Sequence, residues 1–328
     1  MKYLVIGGGN IAHSLAVAIS RRQAVTVLTR RPGDWGLRVN DSPFAVRATN
    51  DPACVATADV VFIALPVQAL RETLARIKPH LHAKQTVCFT PANILIPEIV
   101  DGLAAKGVAI ACIQRVPYIS RIEDYGHRVR MSAPRAVHRL YVSSDEMRSD
   151  WKKICRELFE GDVEFIHSPL TFVFNNSNPL LHPSRLVVLF RDWRSRVFCR
   201  NPPFYAEWTD ESSDLYVKAD AEMRTVIEAA DSTGACMADY EDVLSHYGVS
   251  DFRELTLKLR SIESFKSILS PMREHADGTW LPDLESRYFT EDIQGTRAIQ
   301  LMARRYGVAT PTIDGLVDGM EKIIQKEI

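Results

Sequence analysis

An α/β fold is predicted for this chain of 328 residues: an N-terminal Rossmann dinucleotide-binding domain over residues 1–168, followed by an all-helical C-terminal domain over residues 169–328. Three observations predict it. Short apolar runs alternate with amphipathic stretches through the first half, as the strands and helices of a parallel sheet do. A glycine run, Gly7-Gly8-Gly9, follows the first apolar run at once. Strand signals stop at Ile166, and from Pro169 onward the periodicity is helical, which sets the boundary near Ser168.

Taken in order, Tyr3 to Ile6 is the first expected strand, Ile11 to Arg21 a helix, and a second strand ends in Thr29-Arg30-Arg31. Further strands are expected at Phe44 to Ala48, Val60 to Leu65, Thr86 to Phe89 and Val108 to Ile113, with helices at Pro66 to Ile77 and Leu95 to Lys106. Ligands of such sheets sit beyond the carboxyl ends of the strands, so Pro66-Val67 and Thr90-Pro91-Ala92-Asn93 are expected cofactor-contact loops. Pro and Asn also mark ordinary turns. Arg128 to Ser144 reads as a strand pair, Asp145 to Phe159 as a helix and Val163 to Ile166 as one more strand. The second half carries helical patterns at Leu180 to Val197, Ser213 to Ala230, Phe252 to Leu259, Gln294 to Tyr306 and Ile313 to Gln325. Asn201-Pro202-Pro203 interrupts the first of these spacings, and Gly307 with Pro311 separates the last two helices.

The opening strand, glycine run and helix form half of a dinucleotide site. Gly7 and Gly9 let the backbone turn and approach a pyrophosphate, while Ala12, at the third small position, lets the helix pack on the strand. The amides of Asn10, Ile11 and Ala12 and the positive end of the helix dipole then face the phosphates. An acidic residue at the tip of the second strand would bond an adenosine 2′-hydroxyl, but Thr29 is followed there by Arg30 and Arg31. Arginine favours a 2′-phosphate, so NADP(H) is expected over NAD(H). The bland alternative is a solvated pair in the loop leading to Pro32-Gly33.

The bulk numbers narrow the class of partner. Forty Lys and Arg against 41 Asp and Glu leave no basic excess for a nucleic-acid backbone or an anionic membrane surface. Six cysteines, at 54, 88, 112, 155, 199 and 236, show no metal-ligand spacing and suit scattered thiols in a reducing compartment. The first apolar strand begins at Tyr3, so no leader is expected, and no apolar run approaches the ~18 residues of a membrane span. A cytoplasmic protein with small-molecule partners and no metal is expected, with a homodimer left open.

Two segments of the helical half carry chemistry-bearing residues. In Asn175-Asn176-Ser177-Asn178-Pro179-Leu180-Leu181-His182-Pro183, Asn178 and His182 share one face if the segment is helical. Pro183 lacks an amide donor, so the helix begins near Asn178 or bends here. The other segment runs from Pro282 to Asp292 and leads into the penultimate helix. On residue type alone Asp292 is an acid in a first helical turn, stabilising the dipole, and His182 is a packed or surface histidine.

At these residues the sequence resembles the octopine/nopaline dehydrogenase family of opine dehydrogenases. The resemblance rests on the glycine run with Asn10, on Asn178-x-x-x-His182-Pro183, and on Arg287-Tyr288-x-Thr290-Glu291-Asp292. A weaker match is Gln114-Arg115-Val116-Pro117-Tyr118 with Arg121-Ile122 and Tyr125-Gly126. The pieces fall in the family's order along the whole chain. The resemblance implies NAD(P)H-dependent reductive condensation of an amino acid, or other amine, with a 2-oxo acid such as pyruvate or 2-oxoglutarate. It implies His182 as the acid/base group at the oxo acid and Asp292 as the partner that orients its imidazole. Arg287 would bind a substrate carboxylate, Gln114 would touch the oxo acid, and Asn178 would anchor substrate or the nicotinamide side. The chain is shorter than many members, so loops over the amine-donor pocket are trimmed or replaced. Phe204-Tyr205-Ala206-Glu207-Trp208, Tyr240 and Tyr247 are candidates to line the amine side, and arginines within Arg191 to Arg200 to bind a second carboxylate. Core packing and a solvated helix face compete with these readings.

Two other functions share the architecture. Dehydrogenases of the ketopantoate or 6-phosphogluconate type rely on a lysine of the long helix between domains, and Asn178 to Arg200 contains no lysine. An NADP-binding sensor would tolerate loss of an acid/base pair, which here is retained.

Overall fold

A computed structural model of the chain describes residues 1–33, 35–39, 42–43, 46–92, 97–231 and 234–325. It divides into two compact units, Met1–Phe172 and Val173–Ile328. Phe44 of the third expected strand, Asn93 of the expected contact loop and Leu95 of the expected helix lie outside the described residues.

The first unit is built on an eight-stranded sheet. Its strands are β1 (Tyr3–Ile6), β2 (Val25–Leu28), β5 (Val46–Thr49), β6 (Val60–Ile63), β7 (Thr86–Phe89), β8 (Ala109–Ile113), β11 (Val137–Val142) and β12 (Asp162–Phe165), numbered with four short strands described below. Spatial order is β12-β11-β8-β7-β6-β1-β2-β5, parallel from β5 to β8, with β11 antiparallel to β8. β1 and β6 are buried along their whole length, which is why they read as unbroken apolar runs rather than alternations. Helices α1 (Asn10–Ser20), α2 (Val67–Ile77), α3 (Pro97–Ala104) and α4 (Arg148–Phe159) connect or follow the strands. From α4, Trp151 and Phe159 meet Phe62 of β6 edge-on, with ring centroids 6.1 and 5.8 Å apart.

The four short strands, β3 (Arg38–Val39), β4 (Ser42–Pro43), β9 (Ser120–Asp124) and β10 (Arg128–Met131), make a second sheet in the order β4-β3-β10-β9. Arg128 to Ser144 is therefore not one strand pair, because β10 pairs with β9 and β11 with β8. β11 buries every second residue, His138, Leu140 and Val142, against the main sheet. β9 buries only Ser120 and offers no apolar alternation, so it leaves no strand signal.

The β9–β10 hairpin is tied to α1 by side chains. Asn10 Oδ1 accepts the Ile122 amide at 2.8 Å, and the Asn10 carbonyl accepts the Ser120 hydroxyl at 2.9 Å. His13, fully buried, bridges the rest. The Gly126 amide can only donate, so His13 Nε2 is its acceptor at 3.0 Å, and Nδ1 donates to the Gly9 carbonyl at 3.0 Å. That fixes a neutral imidazole in one tautomer. Gly126 holds φ +77°, and a Cβ there would press on Trp35, whose ring packs 4.3 Å from His13.

The second unit is helical: α5 (Thr171–Phe174, straddling the division), α6 (Asn178–Leu189), α7 (Asp210–Ala230), α8 (Ala235–Ala238), α9 (Val243–Tyr247), α10 (Phe252–Ser261), α11 (Ile293–Arg305) and α12 (Pro311–Ile324). It also carries a hairpin that the helical periodicity does not announce, β13 (Met272–Glu274) with β14 (Trp280–Pro282). The hairpin explains why α6 stops at Leu189 rather than at Val197. Phe198 bridges Trp280, whose amide bonds the Phe198 carbonyl at 2.9 Å, so the chain beyond α6 is extended there. No helix among the described residues is long and apolar enough to cross a membrane.

Burial lowers the pKa of His13 below its ordinary value. A group depressed in the folded state contributes stability above its unfolded pKa, about 6.5, and loses that contribution as pH falls through the folded value. His13→Leu, which leaves the Gly126 amide unpaired, should cost about 1–3 kcal/mol at pH 7.5. Denaturant melts should show the gap to wild type narrowing toward pH 5; a gap independent of pH would contradict the assignment.

Candidate active site

Pro183 lies inside α6 and has no amide hydrogen, so the carbonyl one turn back, that of Pro179, loses its helical donor. Thr296 of α11 replaces it: its hydroxyl donates to the Pro179 carbonyl at 2.6 Å. The bond joins α6 and α11 beside His182. One turn before Thr296 stands Asp292, the last residue of a π-helical turn, Tyr288–Asp292, that runs into α11.

Through this junction the two expected acid/base residues meet. His182, 2% exposed, places Nδ1 at 2.7 Å from Asp292 Oδ2, also buried. Asp292 is thus engaged across the helices, and its side chain makes no cap to its own helix. An ionised Asp292 accepts only, so Nδ1 carries the hydrogen and Nε2 is the nitrogen that exchanges protons. Nε2 lies 2.9 Å from the Tyr205 hydroxyl. The sequence places Tyr205 only among aromatics of the amine side; here it completes the histidine's bonding. Burial raises its phenol pKa well above 10, so Tyr205 keeps its hydrogen. It donates to a neutral imidazole and accepts from a protonated one. Tyr288 packs on the ring at 4.6 Å and Phe204 edge-on at 5.7 Å.

Tyr205 is itself held firmly. It stacks on Phe265 at 4.3 Å and on Trp208 at 5.8 Å. Trp208 Nε1 donates to Ser213 Oγ at 2.9 Å, and Arg260 Nε donates to the Trp208 carbonyl at 2.7 Å. Asn178 begins α6 one turn before His182 and is half-buried. Arg287 is exposed, with its guanidinium 5.5 Å from the centre of the Tyr288 ring. Gln114 belongs to the first unit, where it follows β8 and its amide bonds the Arg139 carbonyl.

In the first unit, β1 delivers the glycine run onto α1. Gly7 holds φ +142°, and a Cβ on it would lie 2.5 Å from the Ala64 carbonyl oxygen, so no other residue fits. Above Gly9 nothing lies within 4 Å of where a Cβ would stand. Gly9 caps α1 with no side-chain bond, and the first turn holds no acid. That open loop with free helix amides fits a pyrophosphate. Ala12 is fully buried beneath the loop, and Ile11 is half-buried beside it. A cavity of about 670 Å³ opens from the loop, lined among others by Gly7, Gly9, Thr29, Arg30, Arg31 and Pro66. Arg76 of α2 joins the two arginines there. Asn10, by contrast, spends Oδ1 on Ile122. No set of three or more His, Cys, Asp or Glu that could hold a metal occurs among the described residues.

Residues 166–324 match the family model for the NAD/NADP octopine/nopaline dehydrogenase alpha-helical domain, and residues 2–90 that for NADP oxidoreductase, coenzyme F420-dependent. Residues 166–324 thus carry the alpha-helical domain of the octopine/nopaline dehydrogenases. The chain is an oxidoreductase that uses a nicotinamide dinucleotide. It is 25% identical to a tauropine dehydrogenase of Arabella iricolor, over 98% of this chain and 91% of that one. It is 22% identical to an octopine dehydrogenase of Pecten maximus, over 100% and 91%. An octopine dehydrogenase solved with NADH and L-arginine shares the fold, with a TM-score of 0.84 and 23% identity over 99% of this chain and 89% of that one.

Thr296→Val should leave the Pro179 carbonyl unpaired in a buried place and cost about 1–3 kcal/mol. Thr296→Ser, which keeps the hydroxyl, should recover most of it. Chemical denaturation of both variants checks this, and equal stability of the two would show that the hydroxyl bond is not what joins the helices.

Proposed function

We propose that the protein is an NADPH-dependent opine dehydrogenase, condensing the amino group of an amino acid or other amine with a 2-oxo acid and reducing the imine. The observation that carries this reading is the buried His182–Asp292 pair with Nε2 as its exchangeable nitrogen, in a helical unit of the octopine/nopaline type. The names of the relatives, a tauropine and an octopine dehydrogenase, support the reaction class.

The residues act as follows. A protonated His182 gives its Nε2 hydrogen to the 2-oxo acid oxygen as the amine nitrogen bonds the carbonyl carbon. Tyr205, which bonds Nε2 in either protonation state, hands over that position or relays the proton. The Asp292 carboxylate keeps Nδ1 as the donor throughout and stabilises the imidazolium. The amine nitrogen returns a proton to His182, which passes it to the new hydroxyl, and that oxygen leaves as water as the nitrogen lone pair forms the protonated imine. When bound, NADPH supplies the hydride that turns the imine carbon into that of a secondary amine. Arg287 holds a substrate carboxylate with its planar fork, with Asn178 and Gln114 as further substrate contacts. Gly7, Gly9, Ile11, Ala12, Thr29 and Pro66 hold the cofactor, and Arg30 and Arg31 take its 2′-phosphate.

Oxidation of NADPH across a matrix of 2-oxo acids and amines tests the reaction. Turnover is expected only when both are present, because the reducible species is their imine; equal rates with a 2-oxo acid alone would mean a simple hydroxy-acid dehydrogenase. In the same assay His182→Ala should lose about a hundredfold or more in kcat while still binding NADPH.

Cofactor choice is tested separately. Arg30→Ala should raise KM for NADPH about tenfold more than KM for NADH, since one charge-assisted phosphate contact is lost only with the former. An equal effect on both would restore the solvated-pair reading.

A further inference from the structure

Arg185 follows His182 by three residues on α6 and therefore shares its helix face. Although cationic, the residue is only 4% exposed. Its Nε has no hydrogen-bond partner, and no carboxylate pairs with its guanidinium among the described residues. Glu207 is the one carboxylate among the groups acting on it, and Glu207 is already committed to Arg200 at 2.7 Å. Arg260 and Arg196 add positive charge to the same surroundings. Burial pushes the Arg185 guanidinium down to about 10, which leaves it charged at neutral pH.

A buried cation without a partner is costly, and folded chains hold one where something else supplies the compensating charge. The packing neighbours of α6 do not supply it. Glu207, whose charge reaches Arg185, lies two residues beyond Tyr205, on the segment that holds His182 Nε2. The guanidinium fork suits a planar carboxylate or a sulfonate, each offering two acceptor oxygens.

We infer that Arg185 binds the acidic group of the amine substrate, the carboxylate of an amino acid or the sulfonate of an amino sulfonate, beside His182. The inference rests on the opine dehydrogenase reading of this site. It adds a second anion-binding arginine, distinct from Arg287, and it makes an amine without an acidic group a poor substrate.

Arg185→Met in the full chain keeps most of the volume and removes the charge. KM for the best amino acid of the substrate matrix should rise ten- to a hundredfold, the size of one lost charge-assisted pair, with KM for the 2-oxo acid unchanged. Wild type should prefer that amino acid over its decarboxylated amine by a similar factor, and the variant should treat the two within about twofold. The thermal midpoint without ligand should stay level or rise, because an unpaired buried charge has gone. A second measurement needs no turnover. Amino acids that raise the wild-type midpoint should fail to raise that of the variant, while NADPH raises both.

Unaltered amino-acid KM and preference in an active variant would overturn the role of Arg185 and leave the opine reading standing. A matrix with no turnover, together with an amino-acid midpoint shift lost in the variant, would do the reverse. A wild type whose midpoint responds to no amino acid, or a variant that merely melts lower with its preference intact, would mark Arg185 as structural and overturn the inference.

Discussion

A proline in the middle of α6 removes a backbone donor, and the geometry of the His182–Asp292 pair follows from how the freed carbonyl is satisfied. An ordinary residue at 183 would close the Pro179 carbonyl within the helix and leave α6 free to slide or rotate against α11. With proline there, the acceptor must be met from outside, and Thr296 meets it. Because Thr296 and Asp292 are one turn apart on the same element, the bond that repairs α6 also sets the height at which a carboxylate faces His182. The π-helical turn before Asp292 adds a residue to that turn and so alters which face the carboxylate leaves from. Two departures from regular helix thus meet at one histidine.

The first unit solves a similar problem with side chains in place of backbone. A glycine loop that stays open for a pyrophosphate cannot fasten itself, since any side chain on it would fill the space. The fastening comes from α1 and from the β9–β10 hairpin, through Asn10, His13 and the hydroxyl pair of Thr29 and Tyr125 at 3.1 Å. Tyr125 stands where a Cβ on Gly8 would be, with its oxygen 2.7 Å from that point. A side chain at the second glycine would therefore displace the Tyr125 and Thr29 hydroxyls from their bond. Asn10 is a structural tie in its Oδ1, though the family pattern places it beside the cofactor.

These details explain which parts could be read in advance. β1, the glycine turn, α1 and β2 are contiguous in sequence, and their signals are local periodicity and small residues, so their boundaries agree with the expected ones to within a few residues. His182 and Asp292 were legible through the motifs around them, although the residue types alone favoured a packed histidine and a first-turn acid. Tyr205 and Thr296 carry no such mark. Each acts through a partner far away in the chain, 23 residues for Tyr205 and 117 for Thr296, and neither period nor composition encodes that distance. The β9–β10 hairpin is hidden for a related reason: β9 buries only Ser120, so it has no apolar alternation, and β10 then reads as the partner of β11. The β13–β14 hairpin is short, and its polar turn hides it among helices.

Each unit gathers arginine at one place of its own. With 40 basic and 41 acidic residues the chain as a whole is nearly neutral, so a local excess of arginine has to be drawn from balance elsewhere. Ion pairs such as Lys153–Glu157, Lys218–Asp214 and Arg224–Glu228 lie at the surface, where screening leaves each worth little. The excess gathers in two places. Arg30, Arg31 and Arg76 line the cavity at the glycine loop with Glu72 as the one acid among its lining residues. Arg196 and Arg260 add their charge around Arg185, where the acid Glu207 is paired with Arg200. Guanidinium is the cation suited to bidentate oxyanions, and lysine is absent from both groups. A nearly neutral chain that spends its arginines this way concentrates positive charge at two places, the glycine loop of one unit and α6 of the other. Such local fields also raise the concentration of anionic ligands at each place.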